Sequence, residues 1–305
     1  MKVGVVIPLA QDEKRGRALT FEEIRDAALQ AEALGLDSIW VYDHLLHRFP
    51  SRPPVGFWEC WTILSALAAV TNRVSIGTQV ICTAFRNPAL LAKMATTLDA
   101  VSNGRLILGL GAGWHKPEFD AFGMPYDHLA TRFEEAIQII TTLLRQGHAD
   151  FEGAYYSAND CELRPKGPSP AGPPVLVAAF GPRMLRITAR YADGWNTDWL
   201  GPENVFSERR DALMAACADV ARDPATLAIT GGLTIAYPQL GELPAWMTSA
   251  DQYVTGSAEE VAAALQTYQR SGVAHVMCSY YPNSPEALAK LGQAVAVYKE
   301  AQREQ

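Results

Sequence analysis

The stretch Asp37-Ser38-Ile39-Trp40-Val41-Tyr42-Asp43-His44 decides how the fold is interpreted. Its apolar part, residues 38–42, has the length of a strand and is followed at once by a polar loop over 45–54. This pattern is typical of a buried parallel strand whose carboxyl end carries functional side chains. Because strand side chains alternate in direction, Asp43 and His44 face different ways, so one can brace the loop while the other faces a ligand. The alternative is a capping aspartate beside a solvated histidine.

Seven more segments have strand character, and a helical apolar pattern follows each of them. The eight predicted strands cover residues 3–8, 38–42, 74–80, 106–111, 175–178, 193–197, 227–233 and 273–279. Eight alternating units without a break in composition predict an α/β fold, a single (β/α)₈ TIM barrel domain over residues 1–305. A doubly wound open sheet is the alternative.

Helix boundaries and long connections refine this picture. Thr20-Phe-Glu-Glu23 and Ser257-Ala-Glu-Glu260 read as capping boxes, and Asn87-Pro88 and Gly181-Pro182 as helix starts. Three connections exceed the minimal unit, over 115–130 after strand 4, 150–174 before strand 5 and 234–255 after strand 7. Connections of this length in a compact domain are typically lids or binding loops.

Composition narrows the class of protein. The chain has 305 residues, 49% of them hydrophobic, and a formal charge of −7, which disfavours nucleic-acid binding. The amino-terminal residues lack a secretory pattern and no apolar run has the length of a membrane span, so a cytoplasmic location is expected. The five cysteines (Cys60, Cys82, Cys161, Cys217 and Cys278) are scattered and the six histidines form no metal motif, so no metal site is predicted.

Three further motifs lie at predicted strand ends. In Gly109-Leu-Gly-Ala-Gly113-Trp114, small residues let a flat ligand or a neighbouring backbone come close. Ala178-Ala-Phe-Gly181-Pro-Arg183 leads into a helix whose free N–H groups suit a phosphate, with a plain turn and an exposed arginine as the alternative. The tryptophan of Ala192-Asp-Gly-Trp195-Asn196 either walls a planar ring or belongs to the core.

The stretch Gly77-Thr78-Gln79-Val80-Ile81-Cys82-Thr83-Ala84-Phe85-Arg86-Asn87-Pro88 resembles the luciferase-like monooxygenase family of flavin and deazaflavin enzymes. The strand end at Tyr42-Asp43-His44 and the three motifs above share this resemblance, which covers essentially the full length. It implies a (β/α)₈ barrel, assembled as a homodimer, that holds the cofactor ring in the mouth of the barrel.

Within that family the chain looks most like the branch that uses coenzyme F420, a hydride-carrying deazaflavin, with FMN as the alternative cofactor. The resemblance implies a non-proline cis peptide and a bulge at Gln79-Val80, and it implies His44 as the acid/base group with Asp43 beside it. The cofactor-binding residues that it implies are Asp43, Thr78, Gln79, Val80, Gly111, Gly113, Ala178, Ala179, Gly181, Pro182, Arg183 and Trp195.

The chain departs from this branch at two positions. Trp114-His115 replaces the catalytic glutamate that sugar-phosphate dehydrogenases of the branch carry after the Gly-rich strand, which argues against glucose 6-phosphate and leaves the second acid/base group unassigned. Phe180 replaces a small residue before the phosphate turn, so a different cofactor wall is expected there.

The sequence therefore predicts an oxidoreductase that transfers hydride between coenzyme F420 and a small, apolar organic substrate. A set of loop aromatics suggests the apolar pocket: Phe49, Phe57, Trp58, Trp114, Phe119, Phe122, Trp199 and Trp246. Two alternatives stay open. One is an FMN-dependent monooxygenase, for which a separate flavin or F420 reductase would be a partner, and the other is a noncatalytic flavin-binding barrel.

Overall fold

Eight parallel strands close into a barrel within the residues that the computed structural model describes, which are 1–12, 15–50, 52–201 and 204–303, without the side chains of 199, 204 and 205. The strands are β1 Lys2–Val6, β2 Ser38–Val41, β3 Ser75–Thr78, β4 Leu106–Gly111, β5 Val175–Ala178, β6 Gly194–Leu200, β7 Ala228–Ala236 and β8 His275–Tyr281. Each strand pairs with the next in the chain, and β8 pairs with β1 to close the ring. All eight predicted strands and the TIM barrel are confirmed, and the open sheet is excluded.

Helices surround the barrel. They are α1 Phe21–Ala33, α2 Cys60–Val70, α3 Pro88–Val101, α4 Lys116–Phe122, α5 Leu129–Gln146, α6 Pro182–Tyr191, α7 Asn204–Asp219, α8 Ala258–Arg270 and α9 Pro285–Arg303. Both predicted capping boxes are present, at Thr20 and Ser257, and Asn87 caps α3 through the backbone N–H of Leu90. In the described ranges no helix combines the length and the apolarity that crossing a membrane requires.

The interior of the barrel is filled by side chains, not by a channel. Trp40 is fully buried there beside Val6, Leu176 and Met277. A methyl group at Gly77 would lie 2.2 Å from Cζ3 of Trp40, so glycine makes room for the indole. Ile39 and Val41, which alternate with Trp40 along β2, pack into the outer core between barrel and helices. Ligands therefore have access at the mouth of the barrel.

The predicted long connections carry small elements of their own. The connection after β4 contains α4, and the one before β5 contains a hairpin of His148–Glu152 with Ser157–Glu162. After β7, the chain returns to the sheet through a parallel bridge from Ile235 to Val254. The polar loop after β2 adds a small hairpin of Leu46–His47 with Val55–Gly56. Several of these segments border the mouth, where the candidate site lies.

Candidate functional site

His44 and a buried glutamate form the centre of the candidate site. Nδ1 of His44 lies 3.0 Å from Oε1 and 3.4 Å from Oε2 of Glu118, which stands in the first turn of α4. The backbone N–H of Leu45 donates to Oε2 at 2.9 Å. Burial alone would raise the pKa of Glu118, but the hydrogen bonds from His44 and the backbone outweigh it and lower the pKa. Glu118 is therefore a carboxylate that orients both the imidazole and the loop.

Rings enclose His44 on its other sides. The ring centroid of His47 lies 4.2 Å away, that of Phe57 5.4 Å and that of Trp114 5.8 Å. Burial, followed by the nearby His44 and His115, lowers the pKa of His47 to about 3. Burial also lowers the pKa of His115, whose Nε2 accepts a hydrogen bond from the backbone N–H of Arg48. The surroundings of His44 are thus aromatic, with both neighbouring histidines neutral near pH 7.

Asp43 points away from His44 and braces the chain behind it. Its two oxygens accept a bidentate pair of hydrogen bonds from Arg86 at 2.6 and 3.0 Å, and Oδ2 also accepts the backbone N–H of Cys82 at 3.0 Å. Arg86 reaches Glu59 as well, at 2.6 Å. Burial opposes the charge of Arg86, but the hydrogen bonds that it donates to the two carboxylates outweigh this effect and raise its pKa. The sequence predicts that one of Asp43 and His44 braces the loop while the other faces a ligand. Asp43 is the one that braces it.

The segment after β3 has the predicted non-proline cis peptide bond, between Gln79 and Val80. The hydroxyl of Thr78 donates to the carbonyl oxygen of Gly109 and accepts from its N–H, so it joins β3 to β4. A methyl group at Gly111 would lie 2.7 Å from Cγ2 of Val80. This glycine is therefore required by a protein neighbour, which is one of the two explanations that the sequence left open.

Gly113 is likewise explained by its own backbone and packing. Its φ of +84° lies in the left-handed region, and a methyl group there would lie 2.6 Å from Sγ of Cys82 and 2.6 Å from Cζ of Phe119. Its predicted contact with a cofactor stays a prediction.

A polar floor crosses the barrel below the mouth. A methyl group at Gly232 would lie 1.8 Å from Oδ1 of Asp198 and 2.5 Å from Nε2 of Gln79, so the side chain of Gln79, just after β3, and that of Asp198 on β6 meet over a glycine of β7. Oε1 of Gln79 and Oδ1 of Asn196 are buried and accept no hydrogen bond from the described residues. A buried oxygen normally has a hydrogen-bond partner, so these two are exceptions among the described residues.

The predicted phosphate turn opens α6. Gly181 is the N-cap residue, no side chain caps the helix, and nothing lies within 4 Å of a methyl group built at this glycine. Arg183 is exposed and donates to Oγ1 of Thr131 at 3.0 Å and to Oε2 of Glu134 at 3.1 Å. Phe180 is exposed under the guanidinium of Arg209, 5.0 Å from its ring centre. The start of α6 is open to an anion, and Arg183 lies beside this turn in an ion pair with Glu134.

Other candidates lie deeper or further away. Trp195 has no exposed surface, packs in the outer core and donates from Nε1 to the carbonyl oxygen of Ala179. It is therefore a core residue, which is one of the two roles that the sequence left open. Phe119 is also fully buried, whereas Trp58 and Phe122 are about half exposed. The side chain of Trp199 lies outside the described residues. No group of three metal-ligating side chains occurs in the part of the chain that is described.

Two residues of the site were missed in the sequence, Glu118 and Arg86. Glu118 lies 74 positions from His44 and Arg86 lies 43 positions from Asp43, and closure of the barrel brings each pair together. The one available signal was Lys116-Pro-Glu118, which resembles the first turn of a helix directly after a Gly-rich strand end. It shows where a carboxylate lies but not which side chain it meets.

Comparison with known proteins gives the family. The family model described as luciferase-like monooxygenase matches residues 1–239. An F420-dependent glucose-6-phosphate dehydrogenase of Amycolatopsis mediterranei (strain U-32) is 35% identical over 180 residues, 57% of this chain and 52% of the relative. Pyrimidine monooxygenase RutA of Methylobacterium radiotolerans is 35% identical over 209 residues, 63% of this chain and 53% of the relative. The matches thus span about half the length of these curated relatives.

Solved structures agree in fold. An F420-dependent secondary alcohol dehydrogenase in complex with an F420-acetone adduct superposes with a TM-score of 0.79 at 18% identity, over 97% of this chain and 98% of that one. Monooxygenase RslO1 from Streptomyces bottropensis also superposes with a TM-score of 0.79, at 20% identity, over 98% of this chain and 100% of that one. Because the family model covers most of the chain and the barrel agrees with it, this protein belongs to the luciferase-like monooxygenase family.

Proposed function

We propose that this protein is an oxidoreductase that transfers hydride between coenzyme F420 and a small, apolar organic substrate. The observation that carries the proposal is the placement of His44, held by Glu118 at the mouth of a family barrel among aromatic rings. The relatives named as F420-dependent support the cofactor. An assembly as a homodimer, which the family resemblance implies, is part of the same proposal.

The residues at the mouth fit a planar, phosphorylated cofactor. The cis peptide between Gln79 and Val80 would lie behind the ring, and the buried oxygen of Gln79, which has no partner among the described residues, would offer an acceptor to its polar edge. The uncapped start of α6 at Gly181 offers backbone N–H groups to a phosphate, and Arg183 would add charge by exchanging Glu134 for the anion. A bound deazaflavin would supply the hydride-carrying ring for the reaction.

His44 supplies the proton. Its Nδ1 is engaged by Glu118, and its Nε2 makes no hydrogen bond to the described residues. In reduction of a carbonyl compound, the imidazolium donates the Nε2 proton to the substrate oxygen as carbon receives hydride, so that one hydride and one proton give an alcohol. In the reverse direction the neutral imidazole accepts that proton. A part-exposed His44, whose side chain is 19% exposed, can then exchange its proton with water.

The rings around this nitrogen favour an apolar substrate. Phe57 and Trp114 flank His44, and His47 is neutral. Two nearby cations are engaged elsewhere: Lys116 pairs with Asp120 at 2.6 Å, and Arg52 lies 4.5 Å over the ring of Phe49. An apolar wall beside one proton-transfer group suits a small ketone or alcohol better than a sugar phosphate.

The second candidate is an FMN-dependent monooxygenase, favoured by the 35% identity to RutA. Oxygen dependence separates the two, because hydride transfer with a deazaflavin needs no oxygen. With reduced F420 and a panel of apolar ketones, we expect the same rate of cofactor oxidation in air-saturated and oxygen-free buffer. Product formation that requires oxygen and reduced FMN would instead establish the monooxygenase and remove the hydride-transfer proposal.

A further inference from the structure

Three buried glutamates of this chain hold loops by accepting backbone N–H groups. They are Glu32 on α1, Glu118 on α4 and Glu135 on α5, and all three side chains are nearly buried. The N–H donors are those of Asn72, Arg73 and Val74 for Glu32, of Leu45 and Leu46 for Glu118, and of Ala154, Tyr155 and Tyr156 for Glu135. Fixing a loop on a helix carboxylate is thus a repeated structural device here.

Glu118 differs from the other two because it also binds an imidazole. Its Oε1 lies 3.0 Å from Nδ1 of His44, and its side chain is 2% exposed. An ionised carboxylate only accepts hydrogen bonds, so the proton of this bond belongs to Nδ1. Nε2 then carries the lone pair in neutral His44 and a proton in the cation. The same carboxylate that fixes Leu45 therefore decides which nitrogen faces the mouth.

We propose that Glu118 is the positioning residue of the site: it keeps the proton of neutral His44 on Nδ1 and presents Nε2 to the substrate. The effect on turnover rests on the proposed function, but the position of the proton does not. Glu118 thereby supplies a carboxylate to a site in which Trp114 and His115 occupy the positions right after the Gly-rich strand. It acts on the reaction through His44 and not by touching the substrate.

The other groups that face His44 do not compete for this role. His47 and His115 have lowered pKa values because they are buried, so they stay neutral near pH 7. The hydroxyl of Tyr42, whose ring lies 6.3 Å away, accepts the backbone N–H groups of Leu9 and Ala10. Among the described residues, Glu118 is the charged group that hydrogen-bonds His44. One carboxylate and one proton-transfer imidazole thus form a pair.

The position of the proton can be measured in the protein as it is. Two-bond ¹H–¹⁵N correlation spectra of histidine-labelled protein at about pH 9, above the usual imidazole range, distinguish the two tautomers. The His44 signal is the one that disappears in His44→Ala. We expect its proton on Nδ1, and a proton on Nε2 of neutral His44 would overturn the proposal without any variant of Glu118 and without any cofactor.

The variant Glu118→Gln then tests the role in turnover, with Glu135→Gln as its matched control. Glutamine can donate as well as accept a hydrogen bond, so in this variant the proton of neutral His44 should no longer be confined to Nδ1. Turnover should fall about tenfold or more at pH 7, while the cofactor Kd stays within about twofold. Glu135→Gln should change neither the turnover nor the His44 spectrum. Equal effects of both variants on unfolding, with an unchanged His44 spectrum in each, would reduce Glu118 to a loop anchor.

Discussion

Replacing His44 by alanine should lower turnover by about 10²-fold or more while changing the affinity for the cofactor by less than about tenfold. The reason is geometric, because the imidazole is held by Glu118 on one nitrogen and has its other nitrogen free at the mouth. Alanine removes the proton donor without touching the phosphate turn at Gly181, which is the proposed anchor of the cofactor. The measurement is steady-state oxidation of reduced F420 with a ketone substrate, alongside the cofactor Kd.

His148→Ala is the control for this experiment. That histidine is half exposed on the hairpin before β5 and pairs with Asp160 at 3.0 Å, so its loss should leave both turnover and Kd unchanged. Unchanged turnover in His44→Ala would remove the catalytic role of the residue. A wild-type protein that binds the cofactor tightly but turns over none of the substrates would favour the noncatalytic carrier barrel.

Replacing Arg86 by alanine should have the largest effect on stability, a loss of about 3–5 kcal/mol in the free energy of unfolding. The side chain of Asp43 is fully buried and receives two hydrogen bonds from Arg86. Without the guanidinium, a buried carboxylate keeps only the backbone N–H of Cys82. The check is urea unfolding of wild type and variant, with the shift in midpoint read at constant m-value.

Arg25→Ala is the matched control, since Arg25 pairs with Asp26 at 2.8 Å on the surface of α1, where both side chains are well exposed. Exposed pairs contribute about 0–1 kcal/mol, so this variant should unfold almost as wild type does. If Arg86→Ala lowers the free energy of unfolding no more than Arg25→Ala does, then Asp43 is not held as a charged group and its bracing role is wrong.

The fold was predictable because each βα unit carries its own local signals. Apolar runs of strand length, the capping boxes at Thr20 and Ser257 and the proline after Asn87 all act within a few residues, and the structure has each of them. The long-range pairs were not predictable. Nothing in the sequence links Glu118 to His44 or Arg86 to Asp43, because those contacts exist only once the barrel closes.

Glycines show the same division between local and long-range information. The resemblance assigns both Gly111 and Gly113 to the cofactor, which stays a prediction, and in the structure each glycine also has a protein neighbour that excludes a side chain. A glycine pattern indicates a close approach, and the partner in that approach depends on tertiary structure. The structure identifies Val80 for the first of these glycines and Phe119 with Cys82 for the second.

We propose that the site at His44 serves a deazaflavin and not a flavin. The deciding experiment is an equilibrium titration of the cofactor-free protein with coenzyme F420 and with FMN, in one buffer and followed by cofactor fluorescence. We expect saturable binding of F420 with a Kd at least about tenfold lower than that of FMN, a difference of about 1.4 kcal/mol. Tighter binding of FMN would instead favour the two-component monooxygenase and rule out the deazaflavin as the preferred cofactor.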